Sequence, residues 1–194
     1  SSAASDVYKR QTHERQAYRY FVGNGIPKLV ERLAPADQRT PAVLEAALAD
    51  FKRDYGQHLR DTTAPYPGIP EMLAKLKANG VQLAVFSNKA DALAKEVVKD
   101  YFGTQYFTIV RGQMTGVAPK PAAEGTNALL QALHADPAST LYVGDSNVDV
   151  ETAHNANLPC CGAVWGFRTR EELNAAGAEY LAENSDELYD VIMK

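Results

Sequence analysis

Cysteine is scarce in this sequence: 194 residues contain two, Cys160 and Cys161. They are neighbours, a spacing that rarely meets disulfide geometry, and no Cys-x-x-Cys pair offers a thiolate metal site. They read as two small buried side chains on a strand, and a reducing cytoplasm is the expected setting. Long apolar runs are also missing. None approaches the ~20 residues that a membrane helix needs, so no membrane partner is expected. Nor is there a basic surplus: 20 Lys and Arg stand against 24 Asp and Glu, a formal charge of −4. That balance excludes a general nucleic-acid binder but leaves room for a small anion, which a few local donors can hold. What remains is 45% hydrophobic and 23% charged, the proportions of a globular protein with space for a core and a small second lobe.

Ser1 to Gln11 shows neither helical nor strand periodicity. It resembles adapter or assembly sequence translated at the ends of metagenomic reading frames, and residues 1–11 are read as non-native. Residues 12–61 read as a helical lobe. Ala17, Tyr20 and Phe21, then Leu29, Val30 and Leu33, fall at helical spacing on either side of Gly23-Asn24-Gly25. Thr40-Pro41 marks a helix start, followed by Val43, Ala47, Leu48, Phe51 and Tyr55 on one face.

Residues 62–194 open with a stretch rich in turn formers, Thr62 to Gly68. Helices and short apolar runs then alternate: helix 70–78, strand 81–86, helix 90–102, strand 106–110, helix 121–134, strand 140–143, helix 148–155, strand 160–165. A capping box, Thr169 to Glu172, opens another helix. A short edge strand over 179–182 and a last helix from Ser185 complete the pattern. The expected fold class is α/β, a doubly wound parallel sheet with a small helical lobe. In such sheets ligands sit beyond the carboxyl ends of the strands.

Three of those ends carry polar residues. Gly144 allows a tight turn, Asp145 follows at the strand tip, and Asp149 lies four residues on, at a helix start. Two carboxylates so close repel unless a cation is near, and oxygen donors of this kind suit magnesium. A plain helix cap with a first-turn acid uses the same residues. Ser87-Asn88 offers a hydroxyl and an amide that can donate to phosphate oxygens, with helix capping as the alternative. Lys120, before Pro121, can neutralise a phosphoryl group or stand as a surface lysine.

Taken together, a hydroxyl, a lysine and an acidic pair, in that order on one parallel sheet, resemble the haloacid dehalogenase superfamily, and within it the phosphoglycolate phosphatase-like branch. Ser87 matches the second motif of that family, Lys120 the third, and Gly144-Asp145-Ser146 with Asp149 the fourth. Trp165-Gly166-Phe167-Arg168 with the following Thr169 to Leu173, and Val22 to Gly25 in the helical lobe, also match the branch. The resemblance implies a phosphoric monoester hydrolase acting on a small phosphorylated metabolite with Mg2+. It makes Lys120 and Ser87 catalytic, and sets Ser87, Asn88 and Lys120 on the phosphoryl oxygens. Asp145 and Asp149 would serve the metal. The helical lobe becomes a cap, with Gly23, Asn24 and Gly25 toward the substrate.

One departure is large. The first motif of the family, Asp-x-Asp-Gly-Thr, is absent, and Asp6-Val7-Tyr8 does not match it. The resemblance places the strand that carries it centrally, between those bearing Ser87 and Asp145, so its absence should leave backbone groups unpaired. The expectation is therefore a chain truncated at its N-terminus and inactive as it stands, whose complete form works through an aspartyl phosphate. The alternatives within the fold are a sugar-phosphate mutase, a dehalogenase, which would not need magnesium, and a pseudoenzyme that binds a partner through its cap. A receiver domain would place its acidic cluster before its Ser/Thr and Lys, the reverse of the order here.

Overall fold

Thr40 caps a 17-residue helix by the local rule: its hydroxyl accepts the Val43 N–H at 3.4 Å and Pro41 takes the first turn. The computed structural model describes residues 17–23, 25–58, 60–61 and 63–194. The readings of residues 1–11 and of Asn24 therefore lie outside the described residues. The chain divides into two compact units, residues 1–64 and 65–194.

In the first unit, α1 (Ala17–Phe21), α2 (Ile26–Leu33) and α3 (Pro41–Gln57) follow one another. No strand occurs among its described residues. α2 packs on α1 and α3, with Val30 and Ala47 buried between them. Arg32 donates to the carbonyls of Tyr20 and Phe21 at 3.1 and 3.0 Å, a cation at the exposed end of α1. Gly23 and Gly25 adopt φ of 117° and 84°. A side chain resists that region, so the break between α1 and α2 depends on glycine backbone.

The second unit alternates as expected. α4 (Ile69–Ala78) leads to β1 (Leu83–Ala90), α5 (Asp91–Phe102), β2 (Phe107–Gln113) and α6 (Glu124–Leu133). Then come β3 (Tyr142–Gly144), α7 (Asn147–Asn155), β4 (Cys160–Ala163), α8 (Arg170–Ala175), β5 (Tyr180–Ala182) and α9 (Ser185–Ile192). All pairings are parallel: β1 with β2, and β3–β4–β5 in that order. Among the described residues, β1 and β3 each pair on one edge only, and Val143 in the middle of β3 is 39% exposed.

Helices cover both faces of the β3–β4–β5 sheet. Met72, Leu73 and Leu76 of α4 pack with Cys161, Ala182 and Leu188. On the other side Val150 and Ala153 of α7 pack with Leu158, Cys160 and Leu173. The adjacent cysteines thus serve opposite cores, as side chains alternate along a strand, and both are free thiols. Burial pushes the Cys160 thiol up to about 12 and the Cys161 thiol up to about 11. Each fully buried leucine, such as Leu76 or Leu173, contributes about 1.5–3 kcal/mol.

Several boundaries differ from the reading of the sequence: β2 runs on to Gln113, β3 starts at Tyr142 and β4 ends at Ala163, and two further differences bear on the polar strand ends. β1 runs on to Ala90, past the apolar stretch that ends at Phe86, because Ala90 still faces Gln113 of β2. α6 starts at Glu124 rather than Pro121: Pro119 to Ala122 form a turn, with the Ala122 N–H on the Pro119 carbonyl at 3.0 Å, and the Lys120–Pro121 peptide is cis. Among the described residues no helix is long and apolar enough to cross a membrane.

Candidate active site

The carboxyl end of β3 turns sharply into α7, and the turn requires Gly144. A β-carbon there would lie 2.1 Å from the β-carbon of Asp149, which is too close. Ser146 is the N-cap of α7 and Asp149 its third residue, and the two form a capping box. Asp149 Oδ2 accepts the Ser146 hydroxyl at 2.6 Å and the N–H groups of Ser146 and Asp145 at 3.1 and 3.2 Å. The helix-cap alternative raised by the sequence is thus real for this residue. It does not exhaust its role, because Oδ1 accepts the Lys120 ammonium at 2.7 Å.

Lys120 arrives from the connection between β2 and α6. Its ammonium lies 5.8 Å from the Phe86 ring centre and 6.0 Å from that of Tyr142, and it donates to the Phe86 carbonyl at 3.5 Å. The side chains of Lys120 and Asp149 are 11% and 9% exposed, so the pair is shielded from solvent. Burial works against the lysine charge, but Asp149 and Tyr142 together outweigh it, and the ammonium titrates above the usual lysine range. Tyr142 is pushed up to about 12, chiefly by burial, with the Lys120 ammonium pulling the other way.

Asp145 is held from the other side. Its Oδ2 accepts the Phe167 N–H at 3.1 Å, and its carbonyl accepts the Arg168 N–H at 3.1 Å. Gly166 makes this approach possible, since a β-carbon there would meet the Asp145 β-carbon at 2.2 Å. Burial, then the charge of Asp149, raise the Asp145 carboxyl above the usual range. A carboxylate in that position is a natural partner for a cation.

Ser87 and Asn88 do not cap a helix. α5 begins at Asp91, with Ala90 as N-cap. Ser87 Oγ accepts the Lys89 N–H at 3.1 Å, which leaves its proton to be donated elsewhere. The Asn88 side chain instead grips the backbone of Lys120 on both sides of its Cα. Its Oδ1 accepts the Lys120 N–H at 2.8 Å and its Nδ2 donates to the Lys120 carbonyl at 3.2 Å.

Hydrogen bonds thus join three strand and loop ends of one unit, from Asn88 through Lys120 and Asp149 to Asp145. Both oxygens of Asp149 already accept protein donors, so it stands behind Asp145 as an orienting acid. The sequence reading gave Asp149 the metal's waters or outer surroundings and had the Asn88 amide orient phosphoryl oxygens. In the structure both oxygens of Asp149 and both polar atoms of the Asn88 side chain have protein partners. Phe86 and Tyr142, which flank Lys120, went unrecognised in the sequence, where they read as core residues of strands. Gly23 and Gly25 belong to the other unit, and Asn24 lies outside the described residues.

The donor set fits magnesium. Its hard oxygens are the half-buried Asp145 carboxylate with the buried Asp149 behind it, and magnesium needs only one or two carboxylates besides water and phosphate. Among the described residues no group of three or more His, Cys, Asp or Glu forms a fuller metal cage.

Residues 2–163 match a family model described as haloacid dehalogenase-like hydrolase. A phosphoglycolate phosphatase of Mesorhizobium japonicum is 30% identical over 159 residues, which cover 81% of this chain and 70% of that protein. That of Neisseria meningitidis is 33% identical over 150 residues, 76% of this chain and 64% of that one. The chain therefore spans about two thirds of the length of these curated relatives. Among solved structures, a candidate phosphoglycolate phosphatase from Lactobacillus delbrueckii subsp. bulgaricus superposes with a TM-score of 0.91 at 26% identity, covering 98% of this chain and 88% of that one. CbbY from Rhodobacter sphaeroides, solved with phosphate, shares the fold with a TM-score of 0.74 at 22% identity, over 96% of this chain and 86% of that one.

Proposed function

Because the chain belongs to the haloacid dehalogenase-like hydrolase family, in its phosphoglycolate phosphatase-like branch, we propose that the complete protein hydrolyses a small, phosphoglycolate-like phosphate monoester with magnesium. The observation that carries this reading is the shielded Lys120–Asp149 pair, 2.7 Å apart, set beside Asp145 at the carboxyl ends of parallel strands.

Each residue has a definite task in this reading. Lys120 supplies a desolvated positive charge, which is worth more to a phosphoryl group in a sheltered site than in water. Asp149 holds that ammonium and, through the Ser146 and Asp145 N–H groups, the turn that presents Asp145. Asp145 would hold magnesium, which when bound neutralises phosphate charge. Ser87 donates its hydroxyl to a phosphoryl oxygen. The free thiols are in keeping with a reducing cytoplasm.

The chemistry passes through an aspartyl phosphate, formed when one carboxylate attacks phosphorus and the alcohol leaves with a proton from a second carboxyl group, which then takes a proton from the water that cleaves the intermediate to inorganic phosphate and the free carboxylate. No Asp-x-Asp pair exists in these 194 residues to do so, so they are expected not to turn over by themselves. The test is para-nitrophenyl phosphate hydrolysis with magnesium. Residues 1–194 should be silent, and joining a segment that bears Asp-x-Asp-Gly-Thr should create turnover, lost again in Lys120→Ala. Turnover by residues 1–194 alone, or none after the joining, overturns the proposal.

A further inference from the structure

Lys120 is carried by the connection of residues 114–123, between the end of β2 at Gln113 and the start of α6 at Glu124. Irregular chain of this kind is costly to order, and a lysine adds a long flexible stem to the uncertainty. Yet its ammonium is placed within 2.7 Å of one carboxylate oxygen. Something must fix its backbone.

We propose that Asn88 is a positioning residue for Lys120: its side-chain amide grips the backbone N–H and carbonyl of the lysine and so sets the ammonium against Asp149. The inference rests on the reading above only in what the ammonium is for. The clasp spans 32 residues of sequence and uses both polar ends of the side-chain amide, on the N–H and the carbonyl of the one residue Lys120, at 2.8 and 3.2 Å. A carboxamide presents a donor and an acceptor side by side, the complement of the N–H and C=O that flank a single Cα. Aspartate lacks the donor, and alanine lacks both. The strand prepares the geometry. Pairing of β1 with β2 slips between Phe86 and Ala90, and irregularities of this kind re-aim side chains. Asn88 sits in that slip and reaches sideways to the loop. Phe86, two residues earlier, offers its carbonyl and ring to the same ammonium. One short stretch of β1 therefore fixes both ends of Lys120.

The experiment uses residues 1–194 labelled with 15N. It follows hydrogen exchange of the Lys120 ammonium by NMR, and the binding of inorganic phosphate with magnesium by calorimetry. In Asn88→Ala, ammonium exchange should speed up and phosphate affinity should fall, each by about tenfold, the scale of one lost hydrogen bond. Asn88→Asp keeps the acceptor for the Lys120 N–H, loses the donor and should fall between, which preserves the test if the alanine variant does not fold. Asn79→Ala is the control for mere loss of stability, since it removes amide bonds to the Lys75 carbonyl and Tyr189 hydroxyl; both readouts should stay unchanged. Ammonium exchange and phosphate affinity within twofold of the parent in Asn88→Ala overturn the inference. Unaltered ammonium exchange with lost phosphate binding also overturns it, making Asn88 a phosphate ligand. Faster exchange in a chain whose parent binds no phosphate supports the clasp and overturns the phosphatase reading alone.

Discussion

At the scale of single residues, the site holds two charges of opposite tendency. Lys120 and Asp149 are nearly buried and paired, and taking one away leaves the other uncompensated. Lys120→Ala is therefore expected to lower unfolding free energy by about 3–5 kcal/mol in urea denaturation. The pH dependence follows from the direction of the lysine shift. Its folded value lies above its unfolded one, so the pair contributes fully below the ordinary lysine range. That contribution is lost as pH rises through the folded value. The gap between parent and variant should stay constant from neutral pH to about 9 and shrink beyond about 10; a gap that closes below pH 8 contradicts the assignment. Asp145 runs the other way. Burial and Asp149 raise its folded value, so its charge opposes folding at neutral pH. Stability is gained as pH falls through the folded value toward the ordinary one. Asp145→Asn should raise the melting temperature in metal-free buffer, the usual signature of a residue kept for function at a cost in stability. A lower melting temperature would show that the carboxylate is structurally needed.

At the scale of elements, what was legible in the sequence was what is local. Thr40-Pro41 and the Thr169–Glu172 box act within four residues, and both stand in the structure as their side-chain chemistry dictates. The alternation of strands and helices from residue 69 onward was readable from apolar runs and turn formers. So was the placing of Lys120, Asp145 and Asp149 near strand or loop ends, whereas Ser87 lies within β1. The end of β1 was not, since Ser87 to Ala90 carry no apolar signal and belong to the strand through backbone pairing with β2. The start of α6 was misread because a proline that suits a helix's first turn also suits a tight turn, which is where Pro121 lies. The Asn88–Lys120 clasp joins positions 32 apart. It left no local trace, so the amide read as a free donor. Phe86 and Tyr142 look like any strand aromatics until Lys120 lies between them.

At the scale of the whole molecule, the second unit supplies a parallel α/β scaffold with helices on both faces, and its polar residues gather at strand ends, as such sheets require. Among the described residues β1 and β3 do not pair with each other, and the Lys120 arm is what links their carboxyl ends. The relatives place this scaffold among phosphatases. The central claim is that Ser87, Lys120, Asp145 and Asp149 serve one site for a phosphate and a divalent ion. Its most direct test is a calorimetric titration of inorganic phosphate into residues 1–194, with and without magnesium. The account predicts saturable binding that strengthens with magnesium and is lost in Lys120→Ala, while Asp145→Asn abolishes the effect of magnesium. Phosphate binding that ignores both magnesium and Lys120, or no binding under any condition, would contradict it.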